Sequence, residues 1–155
     1  MGLATVVNVE TVNGLERTVA IKAAASLYSA EQTIRQWIGD AKYEDMASAG
    51  SAAAYKTAES DRTYADTEYT NTVQAEAMLA FAYALPRLNM RITSQGGLVR
   101  NLGLDSMGNA NMLMSKRELD SYTREITTQA RALMREMIYH GNISEESRGG
   151  ETFVI

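Results

Sequence analysis

One histidine, one adjacent glycine pair and a few neighbouring carboxylates are what this chain offers toward catalysis, and each can be tested against the chemistry it would perform. His140 is the only histidine, which excludes a multi-histidine metal site within one chain. As a general base it would need a serine or carboxylate at motif spacing, and none accompanies it. With Gly141 behind it, His140 instead reads as the cationic end of a helix closed by a glycine C-cap. Cysteine is absent, so there is neither thiolate chemistry nor a disulfide framework. Gly96-Gly97 looks like a phosphate-cradling loop but lacks both the lysine of a P-loop and the third glycine of a dinucleotide fingerprint. Asp61, Asp66 and Glu68 lack the alternating oxygen ligands and glycine of a calcium loop, and Asp66 and Glu68 suit the first turn of a helix. Trp37 falls on the apolar face of a helical pattern, which is the place of a core anchor. The expectation is a protein with no catalytic, cofactor-binding or metal-ligating residues, and so not an enzyme.

The elements that would position any site come next. A length of 155 residues suits one domain with a core of its own. The formal net charge of -4 argues against nucleic-acid binding by charge neutralisation. The first residues, MGLATVVNVE, lack the basic and apolar regions of a signal peptide, and the longest apolar run is too short to cross a bilayer. A soluble, non-exported protein with no membrane partner is expected.

The most apolar stretch, residues 73–89, places Val73, Ala77, Ala80, Phe81, Ala84, Leu85 and Leu88 on one side of a helix. Leu79 and Tyr83 point elsewhere, and only Glu76 is ionisable before Arg87. Such a helix is expected to be contacted on both sides, with the Leu79 and Tyr83 side open to a neighbouring copy. Pro86 removes a backbone donor and collides with the carbonyl of Ala82, so a kink or restart is predicted there. Thr63 followed by Asp66 starts this helix near Tyr64.

Upstream, residues 5–21 are rich in β-branched side chains around Asn13-Gly14, the pattern of a β-hairpin with a tight turn, or of a loosely ordered arm. Ser29 and Gln32 form a capping box ahead of Ile34, Trp37, Ile38 and Ala41, which predicts one long helix or two pieces over residues 30–58, weakened at Gly39. After Asn89 the helical period fades. Residues 97–102 and 111–114 read as short extended pieces joined by a turn-rich segment, and Leu98, Val99, Leu102, Met112 and Met114 give this loop apolar surface that seeks a partner.

The last helix is the clearest. Ser115 and Glu118 form a capping box before the stripe Leu119, Tyr122, Ile126, Ala130, Leu133 and Met137, with Asp120 and Arg124 spaced as an i, i+4 pair. Its polar side is sorted: Arg117, Arg124, Arg131 and Arg135 fall in one row, and Glu118, Glu125 and Glu136 in another about a quarter-turn away. Sorted rows suit a head-to-tail interface, although a salt-laced solvated face has the same composition. The chain then runs through ISEESRGGET to Phe153-Val154-Ile155, an apolar tip suited to hooking a neighbour by strand addition or pocket insertion.

A helix ending AYALPRLN, an extended GGLVRNLG segment, a second extended piece leading into MSKRELDSYTREITTQARALMREMI, and a polar tail are present in that order. In this order and spacing, over roughly residues 29–143, the chain resembles the head-to-tail adaptor (connector, or head-completion) proteins of tailed bacteriophages. The resemblance implies a mainly α fold: a small bundle of three to four helices, with a β-like extended loop at about 96–114 and an extended C-terminal arm. Residues 1–28 would form an N-terminal arm or hairpin that the family does not account for. Residues 29–141 would be the adaptor bundle with its insertion loop at 92–114, and residues 142–155 the C-terminal arm. It further implies a homo-oligomer, typically a twelve-fold ring, assembled in the host cytoplasm and located in the virion neck. The ring would sit below the portal protein, extend the DNA channel without binding DNA specifically, and dock the tail or tail-terminator protein. The loop and the C-terminal arm would touch the portal or adjacent subunits. The competing expectation is a free-standing helical regulatory module that binds a protein or peptide through its Met-rich loop.

Overall fold

The computed structural model describes residues 2–95 and 116–138. Over these residues the chain is mainly α, with seven helices and no strand. They are α1 (Val6–Asn13), α2 (Arg17–Ala23), α3 (Leu27–Ile38), α4 (Asp40–Ala49), α5 (Ala52–Ala58), α6 (Ala65–Gln95) and α7 (Lys116–Leu133), with a 3-10 turn, Ala24–Ser26, between α2 and α3.

The expected N-terminal hairpin is instead a pair of helices. Thr5 caps α1: its Oγ1 accepts from the Asn8 amide at 3.4 Å, and Asn8 Oδ1 accepts from the Thr5 amide at 2.8 Å. At the other end Gly14 takes a left-handed φ of 64° and donates to the Glu10 carbonyl. A tight hairpin turn and a helix C-cap both ask for glycine at positive φ, so Asn-Gly fits either. Burial decides between them: Val9 is fully enclosed, and Val6 and Val12, three residues to either side, pack against the core. Asn13 helps fix the result, because its Nδ2 donates both to Val9 O at 3.0 Å and to Ala77 O of α6 at 3.1 Å.

Two further glycines divide the next segment into three helices, where one or two were expected. Gly39, with φ 90° and ψ 149°, ends α3 and begins α4 in a backbone region that other residues avoid. Gly50, at φ 79°, closes α4, and Ser51 opens α5 by accepting the Ala54 amide at 3.1 Å. Helix α3 begins at Leu27, two residues before the expected cap at Ser29.

Helix α6 is 31 residues, about 46 Å long at 1.5 Å per residue. It packs against α1, α2, the 3-10 turn, α3, α5 and α7. Ala75, Glu76, Ala77, Leu79, Ala80, Ala82 and Leu85 are sealed from solvent around its whole circumference, and the alanines let neighbouring helices approach closely. Both sides of this helix are therefore contacted, but on the second side by the chain's own helices. The helix also runs through an exposed Pro86 without restarting and continues to Gln95, past the end expected at Asn89.

Helix α7 lies along α6 as its stripe predicts, with Leu119, Ile126 and Ala130 buried and Tyr122 edge-on to Phe81 at 6.4 Å between ring centres. The expected single run to His140 is broken at Met134, whose amide bonds Arg131 O at 3.1 Å, before a further helical turn over 135–138. The break shifts the stripe: Met134 is fully buried where Leu133 is only partly so, and Met137 and Ile138 return to the core. Ala4, Val9, Leu15 and Val19 of the N-terminal segment belong to the same core as Phe81 and Ile126. The extended pieces expected at 97–102 and 111–114, the Ser115 cap, the His140-Gly141 end and the C-terminal arm lie outside the described residues.

Candidate functional site

The most polar feature of the interior stands at mid-length on the central helix. Glu76 is fully buried on α6 and accepts a hydrogen bond from the Tyr43 hydroxyl of α4. Its other oxygen accepts the Ala4 amide at 3.1 Å, and the Leu3 amide donates to the Tyr43 hydroxyl at 2.9 Å. A carboxylate and a phenol thus hold the backbone that leads into α1. The approach is close: a side chain at Gly2 would begin 2.6 Å from Glu76 Oε1. Burial pushes the Glu76 pKa up, against the pull of the Tyr43 and Ala4 hydrogen bonds, and the nearby Glu31 charge adds to the rise. Burial likewise drives the Tyr43 phenol above its ordinary range, with Glu76 reinforcing the shift. The arrangement is a clasp between three parts of the chain. Glu76 and Tyr43 face other parts of the protein, while Gly2 and Ala4 border an open cavity of about 920 Å³ that Tyr28, Glu31, Arg35 and Glu44 also line.

Beside it, Arg35 gathers three carboxylates. It donates to Glu31 at 3.0 Å and Asp40 at 3.4 Å and pairs with Glu44, while its guanidinium lies over the Tyr43 ring at 4.4 Å. The hydrogen bonds it donates to Glu44, Glu31 and Asp40 raise its pKa despite burial. A second cluster joins α4 and the start of α6: Glu68 is held by Arg62 and by Lys42 at 3.6 Å, and burial lowers the Lys42 pKa. Among the described residues no group of three or more His, Cys, Asp or Glu side chains could hold a metal ion. No helix of the described residues is long and apolar enough to cross a membrane.

The residues singled out for assembly are distributed unevenly. Leu79 is wholly enclosed, so it offers nothing to a neighbour. Tyr83 is half-buried, and its hydroxyl bonds Thr33 Oγ1 at 2.7 Å across the α3–α6 seam. Arg124, Arg131, Glu118 and Glu125 on α7, and Arg135 in the turn that follows, are all exposed. Arg131 folds toward α3 and lies 5.4 Å from the Trp37 ring centre. The expected Asp120–Arg124 ion pair does not form; both residues line a shallow basic depression with Lys116, Arg117 and Ser121. Leu98, Val99, Leu102, Met112, Met114, Phe153, Val154 and Ile155 lie outside the described residues.

Two features escaped the sequence reading. Glu76 stood out as the lone ionisable group of an apolar helix, which was its available signal, but its partners Tyr43 and Ala4 are 33 and 72 residues distant. Arg35 sits four residues from Glu31, a spacing that pairs on a helix, whereas its contacts with Asp40 and Glu44 depend on the break at Gly39. Compared with family models, curated proteins and solved structures, the chain matches none of them.

Proposed function

We propose that this chain is a structural assembly protein, a subunit of a homo-oligomeric ring of the head-to-tail adaptor type. In this reading the ring sits in the neck of a tailed phage virion, below the portal and above the tail or its terminator, and continues the DNA channel. The observation that carries the proposal is the outer face of α7, where Arg117 and Arg124 stand exposed in one row and Glu118 and Glu125 in the adjacent one. Opposed charged rows on one rigid helix let the basic edge of one copy meet the acidic edge of the next, a repeating contact that closes into a ring. The sequence resemblance supplies the place in the virion; a mainly α fold is common to it and the structure, although the described residues form seven helices where it implies three to four.

The test is particle size by light scattering and electron-microscopy class averages, for the chain alone and with a portal ring. A closed ring, or assembly on addition of portal, is the expected result. Arg124→Glu should disrupt it, and adding Glu125→Arg should restore it by exchanging the two edges. A chain that stays monomeric with portal present overturns the proposal.

A further inference from the structure

A small polar cavity of about 440 Å³ opens on the seam between α3 and α6, lined by Ser26, Ser29, Thr33, Tyr83 and Arg87 together with Ala25. Its composition is unusual for this molecule, because four hydroxyls and a guanidinium converge and no carboxylate is among the lining residues. Elsewhere in the described structure the half-buried Arg35, Arg62 and Lys42 are each met by at least one carboxylate, whereas Arg87 is exposed. Arg87 is met by none among the described residues; its Nη2 donates to a neutral oxygen, Ser26 Oγ, at 2.6 Å.

Ser26 supplies the second observation. Only 4% of it is exposed, and its oxygen is occupied as an acceptor by Arg87. Its own proton has no acceptor among the described residues, although buried hydroxyl donors are ordinarily satisfied. The other hydroxyls can also turn toward the cavity. Thr33 Oγ1 is within reach of both the Ser29 carbonyl, at 3.2 Å, and the Tyr83 hydroxyl, at 2.7 Å. If Thr33 donates to Tyr83, the phenolic proton is released inward. Ser29 Oγ has no hydrogen-bond partner among the described residues. The cavity therefore presents a positive charge and hydroxyl protons that can turn toward it, and no carboxylate lines it.

We infer that this cavity is a binding site for a tetrahedral oxyanion of the phosphate class, held by Arg87 and by the hydroxyls of Ser26, Ser29 and Tyr83. Arg87 provides charge-assisted donors in a planar fork, and the hydroxyls provide donors at other angles, which matches an anion whose oxygens point in several directions. A planar carboxylate would leave part of the donor set unused.

The test is a titration of the full chain with inorganic phosphate, followed by two-dimensional amide NMR at constant ionic strength. Saturable shifts at Ser26, Ser29 and Thr33 with a dissociation constant in the millimolar range or tighter are expected. Arg87→Met should weaken binding at least about tenfold, and Ser29→Ala by a smaller factor. Unchanged spectra in the rest of each variant establish that it is folded. Acetate titrated identically separates the two anion shapes: weaker binding than phosphate supports the inference, and equal binding overturns it in favour of a carboxylate socket. Phosphate shifts that fail to saturate, or that survive Arg87→Met, also overturn it.

Discussion

Removing the Glu76 carboxylate should loosen the molecule at its centre, and the size of the effect can be built from its two bonds. In Glu76→Ala the Tyr43 hydroxyl and the Ala4 amide lose their acceptor while remaining enclosed. A buried donor left without a partner costs about 1–3 kcal/mol, so the two together cost about 2–6 kcal/mol. Against this stands relief of the burial that raises the Glu76 pKa, which places the expected loss in the lower part of that range, about 2–4 kcal/mol. The thermal midpoint should fall by roughly 2–4 °C for each kcal/mol in a chain of this size. Tyr43→Phe removes the same clasp from the other side and strands the Leu3 amide. Chemical denaturation of both single variants and the double variant should give a coupling of at least about 0.5 kcal/mol. The pH dependence follows from the direction of the shift. Because the folded-state pKa of Glu76 lies above its ordinary 4.5, the native chain keeps a proton that the unfolded chain releases. Stability from this group is therefore highest in acid, falls as pH rises from about 4.5 through the folded-state value, and is level above it. Subtracting the pH profile of Glu76→Gln from that of the parent isolates this slope from the other carboxylates. A Glu76→Ala variant within about 0.5 kcal/mol of the parent, with no coupling to Tyr43, would refute the reasoning.

Two other substitutions probe how the helices are joined. Arg35→Met should cost about 3–5 kcal/mol in urea unfolding, because it strands the 6%-exposed Glu31, whereas removal of the exposed Glu44 should cost under about 1 kcal/mol. Equal effects of the two variants would show that Glu31 is not held by this pair. Pro86→Ala restores an amide that can reach the Ala82 carbonyl in a helix that already passes through this position unbroken, and should stabilise the chain by up to about 3 kcal/mol. A lower melting temperature in this variant would mean that the proline shapes the packing of α6.

What could be read in advance divides along physical lines. Helix α7 was legible because its information is local: Leu119, Ile126 and Ala130 recur at the helical period, and burial follows that period. The start of α6 was equally local, with Asp66 and Glu68 in the first turn of a helix beginning at Ala65. The N-terminal segment was ambiguous at that level, because Val6, Val9 and Val12 satisfy a helical spacing while their β-branched character favours strands. Contact with α6 through Asn13 and Val9 settles it, and that contact is made between residues 64 apart. The clasp around Glu76 and the cavity beside Arg87 are likewise products of helices brought together from distant parts of the chain. Nothing at motif spacing announces either one.

In the proposed ring, the burial of Leu79 also changes which physics would carry assembly. Had the second side of α6 been open, an apolar interface could have supplied both affinity and register. With the middle of α6 enclosed around Leu79, the chain's own fold consumes that surface, and the described faces left for a neighbour include the charged rows of α7 and scattered apolar side chains such as Val7, Ile21 and Tyr28. Exposed charge rows choose partner and orientation well but contribute little binding energy per pair. A ring built on α7 therefore needs many equivalent contacts acting together, which closed symmetry supplies, since each added subunit repeats the same pairing until the last one completes two interfaces at once. Weak, directional contacts of this kind suit a part that assembles upon a preformed symmetric base better than one that must associate strongly by itself.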